Sequence, residues 1–237
     1  MPFCSTHSTA SNRTFYTMKP IRFAMCLLAV TYFLPAHSHA SRTTDNLSFG
    51  GVQTRVSDDG FQDYFGEIYN NEGSKYLFGL YFGGNIATEN SWYVNGGAEL
   101  ATRSSTTINQ AYLTVGHIFE IDSDKTLFLG GGLTSQRSER RLSCKKDEII
   151  APCDREYQTR KDYAAMAEVG LEWNVNPRWD LVPAYQYRDV YDRGLHQVRF
   201  DNHFKLSKSF GLEAGYGYVW SRNLSQNDVR FGLNYEF

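Results

Sequence analysis

No stretch of this 237-residue chain is apolar for long enough to cross a membrane as a helix. Such a helix needs about 20 consecutive apolar residues, and the longest candidate, Phe23 to Leu34, covers about a dozen, which excludes a bundle of membrane helices. Proline is scarce, with 6 residues, beside 20 Gly, 16 Tyr, 16 Phe and 4 Trp. That mixture suits strands and sharp turns, so the first expectation is an all-β protein. Neither sign of charge dominates, with 24 Lys+Arg against 26 Asp+Glu. Residues 1–40 hold Arg13, Lys19, Arg22 and no acid, leaving 21 basic and 26 acidic side chains beyond Ala40. A chain without a basic excess is a poor partner for nucleic acid.

Cysteine is also sparse. Beyond residue 40 only Cys144 and Cys153 remain, in a polar segment. An even pair in an exported chain is expected to form a disulfide, and closing a loop of about ten residues would be worth roughly 2.7 kcal/mol on the chain-entropy model. Two thiols with no histidine between them are too few for a metal centre, so neither metal nor cofactor is expected. The one apolar run sits in the setting of an export signal. Met18, Lys19 and Arg22 precede it, Pro35 follows, and Ser38-His39-Ala40 offers small residues for cleavage after Ala40. Residues 1–40 are read as an N-terminal extension plus signal peptide starting at Met18, and residues 41–237 as one domain.

From Leu47 onward the chain alternates with period two. Val229, Phe231, Leu233, Tyr235 and Phe237 face one way, while Arg230, Gly232, Asn234 and Glu236 face the other. On a helix the same residues would spread apolar and charged groups around the whole circumference. Ten such segments are found, joined alternately by tight links and by links at 53–74, 102–108, 136–161, 189–195 and 222–227. An antiparallel up-and-down meander follows, with both chain ends on the tight-turn side. Eight strands is the alternative if the weak first pair is overcounted.

Alternation alone does not separate a soluble sandwich from a membrane barrel; strand length does. Crossing an apolar band about 25 Å tall at a tilt of about 40° needs roughly ten residues, longer than the usual five or six. Trp92, Trp173 and Trp179 fall at the tight-turn end and Trp220 at the other, as two interfacial aromatic girdles require. An open sheet in lipid would strand its edge amides, so the sheet is expected to close. The face opposite the apolar one carries Glu99, Glu168, Glu172, Glu213 and Glu236 beside Arg188, Arg199, Lys205 and Arg230, groups of both signs that can pair inside a narrow lumen. Three residues fit poorly: Pro183 removes a mid-strand donor and predicts a bulge or irregular pairing, and His117 and Asn202 fall on the lipid face.

The ending Asp228-Val-Arg-Phe-Gly-Leu-Asn-Tyr-Glu-Phe237, with Tyr235 and Phe237 as its last apolar positions, resembles the closing strand of bacterial outer-membrane barrels. With the export signal and the Gly/Tyr-rich strands, residues 41–237 resemble the small outer-membrane β-barrel family of opacity and OmpA-transmembrane type. The resemblance implies outer-membrane location, recognition by the barrel assembly machinery through that last strand, and a monomer. It brings no functional motif.

Chemistry is weighed residue by residue. Asp201 and His203 point the same way and match the spacing of an Asp and His in ten-stranded surface proteases of the omptin type, but they are expected deep in the bore. No acidic pair faces them there; Asp58 and Asp59 lie in the first large loop. A lipid-modifying hydrolase would need a nucleophile and base near a lateral opening, and Ser221 and Ser225 have no histidine partner in an obvious position. No enzyme is expected. The segment from Gln136 to Lys161 carries Arg137, Arg140, Arg141, Lys145, Lys146 and Arg155 among eight basic and five acidic residues. Guanidinium and ammonium groups there could bind lipopolysaccharide phosphate. The leading expectation is a structural or surface-interaction barrel, with a narrow porin-like channel as the alternative.

Overall fold

The computed structural model describes residues 44–57, 60, 64, 76–88, 90–103, 106–141 and 157–237. The export signal of residues 1–40, Asp58 and Asp59, Cys144 and Cys153, and Lys145, Lys146 and Arg155 lie outside the described residues, as does the side chain of Arg141. Ten antiparallel strands run in chain order: β1 (Asn46–Val56), β2 (Tyr76–Ala87), β3 (Trp92–Arg103), β4 (Thr106–Asp122), β5 (Lys125–Arg141), β6 (Tyr157–Asn176), β7 (Trp179–Val190), β8 (Arg193–Lys205), β9 (Phe210–Trp220) and β10 (Ser225–Glu236). Each pairs with its sequence neighbours and β1 also pairs with β10, so the sheet is a closed up-and-down barrel. The count is ten, not eight.

The period-two alternation becomes an inside and an outside. Outward positions keep large apolar side chains in the open, with Leu80 68%, Leu133 70% and Phe231 65% exposed. Inward positions on the same strands, such as Thr54, Thr114, Glu168 and Arg188, are buried. A water-soluble protein does not display an apolar belt around its whole circumference, so this outer surface is one that faces hydrocarbon. Trp92 and Trp173 are exposed near the tight-turn end, and Trp179 stacks on Phe204 there at 6.0 Å. At the loop end Trp220 stacks between His196 at 5.5 Å and Tyr218 at 5.7 Å.

Strands extend further than apolar periodicity indicates. β5 continues to Arg141 and β6 begins at Tyr157, so Arg137, Arg140 and Arg141 belong to a strand and not to the loop in which the sequence placed them. Beyond the hydrocarbon band both faces of a strand meet water, and the apolar half of the pattern disappears while the backbone ladder continues.

The three misfits take different courses, and the buried Nδ1 of His117 has no hydrogen-bond partner among the described residues. Opposite Pro183 the β6–β7 ladder lacks two rungs, between Gly170↔Ala184 and Trp173↔Leu181, and resumes in the same register; the register shift lies nearer the turn, at Asn174/Asn176. Pro183 therefore interrupts pairing without a bulge of its own, because its ring removes one donor while the chain stays extended. His117 remains on the outward face beside Trp92 at 5.3 Å and Phe119 at 4.7 Å. Asn202 accepts a bond from Trp179 Nε1 at 3.2 Å and donates to the Ala214 carbonyl at 3.3 Å, which satisfies an amide on the lipid side.

The seam where the last strand meets the first is buttressed at the turn end. The Asp45 carboxylate accepts from the Ala87 amide at 2.8 Å, and its carbonyl accepts from the Phe237 amide at 3.1 Å. Thr44 is buried across this end, its carbonyl accepting from Asn46 Nδ2 at 3.3 Å and Asn85 Nδ2 at 3.0 Å.

Close strand approach sets a test of the wall. A Cβ added to Gly79 would lie 1.6 Å from the Leu100 carbonyl oxygen, whereas one added to Gly131 would come no nearer than 3.7 Å to any neighbour. Gly79→Ala is expected to destabilise the barrel by about 3 kcal/mol or more, and Gly131→Ala to leave it folded. Loss of the compact heat-modifiable gel band in the first variant and its retention in the second is the readout.

Candidate functional site

The inward charges are arranged in pairs and hydrogen-bonded sets. Arg230 donates to Glu99 at 2.7 Å across the bore, from β10 to β3. Arg199 grips Asp201 through both Nε (3.2 Å) and Nη2 (2.8 Å), and Lys205 lies 3.0 Å from Asp180. Glu168 takes donors from Tyr93 at 2.9 Å, Thr114 at 3.0 Å and Gln186 at 3.1 Å. Asp228 is held by Thr54 Oγ1 at 2.8 Å and by Gln226 Nε2. Charges of both signs inside a narrow tube cost several kcal/mol each to desolvate, and these contacts offset that cost. Of the remaining charges named from the sequence, Glu172 and Arg188 are buried inward and Glu236 sits at the turn-end rim.

Sequence reasoning did not assign Asp180 or Asp228, although both alternate with outward apolar residues and could have been counted by the same rule. Asp180, on β7, and Glu213, on β9, are both cross-strand partners of His203. Asp201 and His203 thus share the bore with further acids, and Asp201 is paired with Arg199. Arg199, Asp201, His203 and Glu213 line a cavity of about 60 Å³ at the turn end, together with Ser48 and the side chains of Asn46, Asn85, Asn95 and Asn234. A second space of about 20 Å³ lies between Arg199, Arg230, Glu99 and Tyr112. Both are of a size for a few waters. Among the described residues no three His, Cys, Asp or Glu side chains converge as a metal site.

Apolar side chains close the loop end. Val56, Leu77, Ala101, Ile108, Val190, Leu195, Val219 and Leu224 form one buried cluster with Tyr64 from the first loop and Tyr191 from the β7–β8 turn. The Tyr64 hydroxyl donates to Gln226, which ties the plug to the polar layer beneath it. Tyr191 and Asp192 both have left-handed backbones, with φ of 60° and 56°, the pattern of a two-residue type I′ hairpin. Tyrosine tolerates that conformation poorly, and here it is held by its own burial. Its amide donates to Asp162, its hydroxyl pairs with Ser138 at 3.2 Å, and Arg160 sits 4.1 Å over its ring. Burial pushes the Tyr64 and Tyr191 phenols above the ordinary tyrosine range, so both stay protonated.

The cations read as a surface patch divide. Arg137 points outward at the loop end, 2.5 Å from Glu139, and faces Lys161 across the β5–β6 ladder. Arg140 points inward and is buried, which removes it from the outer surface. Strand alternation decides this, and a loop reading could not. Arg55 lies over Tyr76 at 5.4 Å, Arg103 over Phe78 at 5.9 Å and Lys161 over Tyr163 at 4.8 Å, a set of loop-end cations beside girdle rings.

The closed ten-strand up-and-down barrel is similar in fold to solved structures of small outer-membrane β-barrel proteins. They include Ail, the attachment invasion locus protein of Yersinia pestis (16% identity, 82% of this chain and 99% of that chain, TM-score 0.40). Neisserial surface protein A is another (12% identity, 84% and 100% covered, TM-score 0.40), as is the NanC porin (9% identity, 81% and 100%, TM-score 0.43). The likeness is one of fold. No protein-family model and no curated protein matches the chain.

Because Glu99 is the carboxylate that Arg230 bonds directly, removing it leaves a largely buried guanidinium without its nearest counter-charge. Glu99→Leu is expected to cost about 3 to 5 kcal/mol in urea unfolding of the lipid-reconstituted barrel. The double variant Glu99→Leu/Arg230→Met is expected to recover most of that loss.

Proposed function

We propose that this chain is an integral protein of a bacterial outer membrane that acts at the cell surface through its loop end and does not conduct solutes. The observation that carries the reading is the apolar plug: Tyr64, Leu77, Val190 and Tyr191 join side chains from across the bore in one buried cluster at the mouth. A channel needs a continuous wetted path, and a plug of this kind with buried ion pairs beneath it supplies none. The tight turns and both ends of the barrel domain lie at one end, the arrangement of a chain delivered from the periplasm with its longer connections outside. The ion pairs that fill the bore support a structural and not a catalytic use of Asp201 and His203.

Arg55, Arg103, Arg137 and Lys161 sit at the loop end beside aromatic side chains, the level at which outer-leaflet phosphates lie. Lipopolysaccharide is the partner this collar suits, with the assembly machinery as a transient partner of the last strand and the barrel itself a monomer. Guanidinium and ammonium groups there can make charge-assisted bonds to phosphate.

Two measurements test the reading. In planar bilayers the folded protein is expected to show no steady open level, while Tyr64→Ala/Tyr191→Gly, which removes both rings from the mouth, is expected to show flickering conductance; a stable open state in the unaltered protein would sink the sealed-barrel reading. Arg137→Ala/Lys161→Ala is expected to weaken lipopolysaccharide binding several-fold at fixed salt, an effect that should shrink as salt is raised. Equal affinity of variant and parent would remove the collar from the account.

A further inference from the structure

Among the described residues, every buried carboxylate of the bore except one is matched by a cation or by hydrogen-bond donors. Asp201 has Arg199, Asp180 has Lys205, Glu99 has Arg230, Asp228 has Thr54 and Gln226, and Glu168 has three donors; Glu172 also has a partner. Glu213, 6% exposed, has neither hydrogen bond nor ion pair among the described residues, and its Oε2 is fully buried. A buried charge without compensation is costly, so its surroundings should reveal what offsets it.

Glu213 lines the 60 Å³ turn-end chamber, and the other walls are rich in oxygen acceptors. Ser48 and Asn234 are direct cross-strand partners on β1 and β10 and both line the chamber. Asn95 donates one amide hydrogen to the Gly84 carbonyl at 3.1 Å, and its Oδ1 accepts no hydrogen bond among the described residues. The guanidinium groups in reach are spent, Arg199 on Asp201 and Arg230 on Glu99, and Lys205 is paired with Asp180.

We propose that this chamber binds a single small monovalent metal cation, with the Glu213 carboxylate as its charged ligand and Ser48 Oγ, Asn95 Oδ1 and Asn234 Oδ1 as neutral oxygen ligands. One unmatched negative charge selects a single positive charge. A divalent ion would leave one buried charge in excess beside Arg199, and the absence of a converging acidic or histidine triad among the described residues agrees with that. Oxygen-only ligation suits hard ions such as sodium or potassium. The remaining source of positive charge is His203, the cross-strand neighbour of Glu213, whose imidazolium would do the same work without an ion. The inference stands on the chamber and not on the surface role proposed above.

The test uses the full folded chain in detergent at constant ionic strength and at pH 8, where an unperturbed imidazole is neutral. Replacing choline chloride with sodium or potassium chloride at about ten times the dissociation constant is expected to raise the unfolding midpoint by about 4 °C. Glu213→Gln, which keeps the shape and removes the charge, should abolish the difference, and so should Asn234→Leu, which fills the chamber from another strand. Sodium-23 relaxation should show a bound fraction, displaced by potassium, in the parent protein alone. No difference between choline and the metal ions, or the same difference in Glu213→Gln, would overturn the proposal.

Discussion

Everything in this molecule follows from the demand that a backbone surrounded by hydrocarbon pair all of its amides. Each unpaired peptide group in lipid costs several kcal/mol, so a sheet of ten strands can sit there only when its first and last strands meet. The β1–β10 ladder satisfies that demand over eleven residue pairs, from Asn46↔Glu236 to Val56↔Gln226. Asp45 reinforces it by joining Ala87 on one side of the seam to Phe237 on the other. Even the weakness in the wall is local, because Pro183 removes two rungs without altering the register on either side.

Closure has a cost inside. A ten-stranded barrel turns half of its side chains toward an interior too narrow to be a solvent channel and too polar to be an oil-like core. The chain meets this in layers: an apolar plug at the loop end, a belt of ion pairs and hydrogen-bonded carboxylates below it, and at the turn end a second apolar cluster of Tyr93, Ile118, Phe128, Val182 and Ala184 beside the oxygen-lined chamber. Strained backbone at Tyr191 and Asp192 is retained because the ring it delivers completes the plug. The same layering that stabilises the closed cylinder fills the bore with packed side chains, on which the proposed surface role rests.

Much of this was legible beforehand. The period-two alternation assigns outward residues such as Phe231 and inward ones such as Arg230 without knowledge of their neighbours, because a strand has only two faces. The even number of strands, the alternation of tight and long connections and the aromatic ends of the segments then lead to an up-and-down barrel. The signal fails at the loop end, where both faces meet water and β5 and β6 continue without apolar marks. Arg140 was read there as a surface cation, and one more turn of the ladder carries it inside.

What sequence alone determined was the two-faced character of each segment, and with it the class of fold, since hydrophobicity and strand geometry act locally. Which charges meet was decided only by the closed sheet. Glu99 and Arg230 are separated by 131 positions, and Thr54 and Asp228 by 174, and nothing local relates either pair. Their distance is fixed by strand order, register and the curvature that closure imposes. The solitary state of Glu213 is likewise a property of the assembled bore, because a charge can be left without a partner only once every neighbour has been given its place.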